Sequence, residues 1–151
     1  MKKARLATHS RLQLDDRFRE MGPASRYAAP IRGWIKAVRE ALGMSTAQLA
    51  KRLGIKQPSL VELEKSEARG TIELATLRRV AEALGCTLVY VLVPNKPLES
   101  TIRGRARAFA QKRWGPVEHS MMLEDQKVPA KNVEARLDEI VRETNPRLFW
   151  D

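Results

Sequence analysis

Between residues 30 and 85, apolar side chains return every three or four positions in four successive stretches, and each stretch carries its own start or stop signal. Pro30 to Leu42 places Ile31, Trp34, Ile35, Val38 and Leu42 at helical spacing, and Gly43 ends the run. Ser45 offers an N-cap oxygen to a second helix whose apolar stripe is Leu49, Ala50 and Leu53. Gly54 can take the positive φ that a sharp helix exit needs, and Ile55 is apolar enough to plug the angle that follows. Pro58 fits the first turn of a third helix, where its missing N–H costs little, with Leu60, Val61 and Leu63 inward. Thr71 to Leu84 repeats the design with Leu74, Leu77, Val80, Ala81 and Leu84, and Gly85 is its stop. The pattern predicts four helices within about 55 residues, close to the smallest chain that can bury its own core.

A different pattern follows. Cys86 to Val93, ending at Pro94, is a run of β-branched and aromatic residues that reads as one strand, apolar on both faces. A single strand cannot satisfy its own backbone, and no second comparable run occurs in the chain. Thr87, Leu88, Val89, Tyr90, Val91 and Leu92 are therefore expected to pair with the same strand of a second copy across a dyad, giving a homodimer. The other reading tucks the segment against the chain's own helices.

The flanks read as helical extensions. Residues 8 to 21 predict a helix with Leu12, Phe18 and Met21 on its drier side, closed by Gly22-Pro23. Residues 98 to 113 predict a basic helix with Ile102, Ala106 and Phe109 inward, broken at Gly115-Pro116. Residues 131 to 143 form another amphipathic stretch with Val133, Leu137, Ile140 and Val141 inward, and Leu148-Phe149-Trp150 closes the chain as further core. The expected class is all-α with one short dimerising strand: an N-terminal extension (1–29), a central domain (30–94) and a C-terminal extension (95–151).

The tight turn Leu53-Gly54-Ile55 between two short helices is the outline of a helix-turn-helix, which reads double-stranded DNA; the plainer reading is any αα-hairpin. In such a motif the start of the second helix enters the major groove, which brings Lys56, Gln57, Pro58 and Ser59 nearest the bases. Gln57 suits adenine, Lys56 guanine or phosphate, and Glu62 a cytosine amino group unless it is simply a solvated residue. Thr46 and Gln48, at the start of the preceding helix, are candidates for phosphate oxygens.

Charge agrees with a polyanionic partner. The chain carries 28 Lys and Arg against 18 Asp and Glu, a formal net charge of +10. Ten of the cations lie from Lys2 to Arg39, opposed by Asp15, Asp16 and Glu20, and Arg103, Arg105, Arg107, Lys112 and Arg113 form a second cluster suited to phosphate contacts. Catalysis finds little support: His9, His119 and Cys86 assemble no metal set or Cys-His pair, no glycine-rich phosphate loop occurs, and no cofactor is implied. Cys86 is expected to be a buried inert thiol, and a lone cysteine fits a reducing cytoplasm. No apolar run approaches a membrane span, and the basic N-terminus lacks the apolar core of a signal peptide.

With these residues in place, positions 31 to 85 resemble the Cro/C1-type (XRE) helix-turn-helix family, which implies a lambda-repressor-like domain. The resemblance also implies a structural ion pair between Arg39 and Glu64 that locks the helices in register. Thr46 stands where that family usually has glutamine, and Val61 and Glu62 replace commoner polar or basic residues. Over its whole length, through LGCTLVYVLVP, HSMMLEDQ at 119 to 126 and the closing FWD, the chain resembles the mobile mystery protein A family. That likeness implies a neighbouring Fic-domain protein, with this chain as autorepressor, antitoxin or both. Ser120 and Glu124 have the spacing of the inhibitory Ser/Thr-x-x-x-Glu motif that restrains one class of Fic proteins, although Asp125 stands where Gly or Asn belongs. The alternative is an inhibitor of the Fic enzyme that works by protein contact, with the helix-turn-helix kept only as a scaffold.

Overall fold

The computed structural model describes residues 2–124 and 130–151, and every regular element among them is helical. Seven α-helices follow in order: α1 (Lys2–Met21), α2 (Trp34–Ala41), α3 (Thr46–Leu53), α4 (Gln57–Ala68), α5 (Leu74–Ala83), α6 (Leu98–Glu124) and α7 (Ala130–Glu143). Short 3-10 turns cover Ala24–Tyr27 and Pro146–Phe149. The chain divides into two compact units, one of residues Pro23–Leu92 and one that joins Met1–Gly22 to Val93–Asp151.

The central unit packs α2 to α5 around Ile35, Leu49, Ala50, Leu60, Val80 and Leu84, with Val38, Leu53, Ile55, Leu63 and Leu77 at the margin. Its punctuation is local. Gly43, Gly54 and Gly85 end α2, α3 and α5 at φ 65°, 66° and 71°, where a side chain would be strained. The sequence pattern overreached at α2. The helix begins at Trp34, because Pro30 accepts from the Gly33 amide in a turn and Gly33 sits at φ 84°. Ile31 is consequently 97% exposed, and Leu42, Leu74 and Trp34 keep about half their surface in water.

The expected dimerising strand is corrected. The stretch from Thr87 to Leu92 forms no strand, and Val89, Tyr90 and Leu92 are largely exposed. A strand is defined by its ladder, and β-branched composition cannot make one when no second strand stands beside it among the described residues. Cys86 is likewise exposed rather than buried.

The other unit is organised around α6. Ile102 and Ala106 of α6 pack with Val141 of α7 and with Phe149, whose ring meets Phe109 edge-on at 5.6 Å between centroids. The helix expected to break at Gly115-Pro116 instead continues to Glu124. On α1 the buried positions are Arg11 and Asp15 rather than Leu12, which is half exposed. Asp15 accepts from the amides of Leu98 and Glu99 at 2.7 and 2.9 Å, and Arg11 Nε donates to Glu99 Oε2 at 3.0 Å. A helix that starts immediately after Pro97 without a capping residue of its own is thus capped from α1.

Candidate nucleic-acid interface

The turn between α3 and α4 presents the candidate residues. Ser45 Oγ accepts from the Gln48 amide at 3.2 Å, and Gln48 Oε1 accepts from the Ser45 amide at 2.8 Å, a reciprocal cap that starts α3. At the far end Gly54 turns the chain, and the extended Lys56 becomes the N-cap of α4. Lys56 lends no side-chain cap, and no acidic residue stands in the first turn. The positive end of the α4 dipole is therefore outward, with Lys56, Gln57, Pro58 and Ser59 all exposed around it.

Two of these residues constrain each other. Gln57 Nε2 donates to Thr46 Oγ1 at 2.8 Å, which ties the first residue of α4 to the first residue of α3. The amide keeps a second N–H and its carbonyl oxygen, the two groups a glutamine needs for a bidentate contact with adenine. The Thr46 hydroxyl retains its own proton for a phosphate oxygen, and Gln48 retains its NH2 group. Glu62 is drawn elsewhere: it pairs with Lys65 at 3.1 Å and lies 4.0 Å from Arg69, so its charge is shared on the exposed side of α4.

Behind this surface α4 is held by its acids. Arg39 of α2 donates to both carboxylate oxygens of Glu64, at 2.6 and 3.3 Å, and to the Met44 carbonyl at 2.9 Å, with both charged side chains buried. Hydrogen bonding to Glu64 raises the Arg39 pKa above its ordinary value, against the opposing pull of burial. A cation whose folded-state pKa is raised contributes stability below its ordinary pKa and loses it only as pH climbs past the raised one. Arg39 therefore stays charged throughout the neutral range.

Sequence reasoning missed Glu67. Its two oxygens accept from the amides of Trp34 and Ile35, both at 2.8 Å, and cap α2 across 33 and 32 residues of sequence. The available signal was its place one turn beyond Glu64 on the same face of α4, opposite a helix whose start has no Ser, Thr, Asp or Asn. Arg52 was missed as well; it donates to the Ala83 carbonyl at 3.2 Å near the end of α5.

Among the described residues no group of His, Cys, Asp and Glu could hold a metal, and no helix is long and apolar enough to cross a membrane. The side chains of Ser120 and Glu124, and all of Asp125, lie outside the described residues. No curated protein and no solved structure matches the chain. The segment that carries the Arg39–Glu64 lock, the α3–α4 turn and the exposed start of α4, residues 35–91, matches the helix-turn-helix family model, which supports a DNA-binding regulator.

Proposed function

We propose that the chain is a sequence-specific repressor of its own operon, binding double-stranded DNA as a homodimer through the start of α4. The reading rests on one arrangement: an uncapped, cation-bearing helix start, with Gln57 pre-set by Thr46 and α4 clamped from behind by Arg39. Lys56, Gln57 and Ser59 are the base-reading residues and Pro58 shapes the first turn, while Glu62, paired with Lys65, is left as a solvated residue. Thr46 and Gln48 hold phosphates. In a shift assay with its own promoter fragment, Lys56→Ala combined with Gln57→Ala abolishes binding; indifference of the unmodified protein to that fragment at moderate salt would sink the proposal.

Dimerisation draws support from the exposed apolar run Val89, Tyr90 and Leu92, with Thr87, Leu88 and Val91 completing the contact. Tyr90→Pro then converts the dimer to a monomer in a mass measurement, and a monomeric parent protein contradicts it. The resemblance carried by HSMMLEDQ and FWD supports a further role as antitoxin of a Fic-domain protein, through Ser120 and Glu124. Co-expression of Glu124→Gly with that partner releases toxicity if the motif acts; full protection disposes of it.

A further inference from the structure

In the unit built on α6, an open trough of about 840 Å3 runs along the helix. Ser100, Gly104 and Ala108 recur every four residues along it, and Lys96, Arg103, Arg105 and Arg107 line it together with one carboxylate, Glu134. Lys112 is the next member of the same four-residue row. We infer that this trough is a second nucleic-acid site, which takes the phosphodiester backbone of a DNA duplex without reading its bases.

Three observations select that occupant. The cations are of two kinds. Arg103 and Arg107 are opposed by carboxylates, since Glu134 accepts from Arg103 at 3.1 Å and from Arg107 at 2.9 Å and Asp138 also accepts from Arg103. Lys96 and Arg105 in the lining, and Lys112 beyond it on the same row of α6, meet no carboxylate among the described residues, which leaves a surplus of positive charge along this face of the helix. Second, the Arg105 guanidinium is fixed over the Trp150 ring at 4.9 Å, a contact that orders the cation without cancelling its charge.

Third, no packing among the described residues calls for glycine at 104. It lies in mid-helix, where glycine weakens a helix relative to alanine, yet a Cβ there would meet nothing within 4 Å. A bare backbone in the lining of a basic trough suits close approach of an external chain. The lining residues are mostly exposed, and an open channel of this form fits a polymer backbone better than an enclosed small anion.

The test uses the full chain and a fluorescent duplex of random sequence, titrated from low to moderate potassium chloride. Each phosphate neutralised by a cation adds about 0.9 to the slope of log affinity against log salt. Lys96→Ala, Arg105→Ala and Lys112→Ala together are expected to flatten the slope by roughly two to three and to lower affinity at least tenfold. Gly104→Glu is the second variant: it puts a carboxylate in the lining, improves helix propensity, and should weaken duplex binding severalfold without lowering the melting temperature. Parent slopes in both variants overturn the inference. A flattened slope in the triple variant with parent affinity in Gly104→Glu also overturns it, because the cations would then act outside the trough. Capture of poly-glutamate by the same cations, with duplex binding unmoved, would assign the surface to an acidic protein instead. Lys56→Ala with Gln57→Ala, run alongside on the promoter fragment, reports on α4 alone and keeps the two failures distinct.

Discussion

Both units clamp their helices with the same two parts, an Arg–Glu pair and a carboxylate on a distant helix start, but distribute them differently. In the central unit α4 supplies both acids: Glu64 takes Arg39, and Glu67, one turn on, takes the first amides of α2. In the α6 unit α1 supplies one cation and one acid, Arg11 to Glu99 and Asp15 to the first amides of α6. Two acids on one face of α4 fix its rotation, with Leu60 in the core and Lys56, Gln57, Pro58, Ser59 and Glu62 exposed. The α1 clamp instead joins segments more than eighty residues apart and makes one unit of the two ends of the chain. Burial differs too. The Arg39 and Glu64 side chains are each 8% exposed, against 11% and 24% for Arg11 and Glu99.

That difference ranks the consequences of breaking each part. Glu64→Ala strands a buried guanidinium and should cost about 3–5 kcal/mol, read as a shifted urea midpoint. Duplex binding should fall with it, because α4 loses its rotational lock. Replacing Arg39 and Glu64 together by Met and Leu should recover much of the loss, since no charge is then left unpaired. If the single and double variants unfold alike, the pair is not the clamp described. Asp15→Ala removes two charge-assisted hydrogen bonds from a buried site and should cost about 1.5–3 kcal/mol, with duplex reading through α4 retained. Glu67→Ala removes the equivalent cap from a less buried one and should cost about 1 kcal/mol. Equal losses for Asp15→Ala and Glu67→Ala would show that burial does not set the difference.

What was legible in the sequence acts over one or two turns. Ser45 caps its own helix, Gly54 turns its own corner, and the apolar spacing of Leu49, Ala50, Leu60 and Val80 identifies their shared core. The caps by Glu67 and Asp15 were not legible, because each joins groups at least thirty residues apart and leaves no periodic trace. On α1 the buried face centres on Arg11 and Asp15, which an apolar pattern cannot report. Ile31 shows the converse error: its spacing fits α2, but Gly33 turns the chain before the helix begins. The candidate reading residues follow from position in the motif, whereas the Gln57–Thr46 bond depends on how α3 and α4 cross, which no sequence spacing encodes.

The smallest expected effect separates two glycines, one in each unit. Gly33 starts α2 at φ 84°, and a Cβ there would lie 2.6 Å from Glu67 Oε2, so backbone and cap both demand its absence. Gly104 lies within α6 with open space where its side chain would be. Gly104→Ala should therefore stabilise the α6 unit by roughly 0.5–1 kcal/mol, the ordinary gain of alanine over glycine inside a helix. Gly33→Ala should do the opposite, and the penalty should shrink in a Glu67→Ala background, where the obstructing carboxylate is gone and only the φ strain remains. A loss of stability in Gly104→Ala would mean that this part of the trough packs against the protein itself. A gain in stability accompanied by weaker binding of random duplex would show that the missing side chain serves a contact outside the fold.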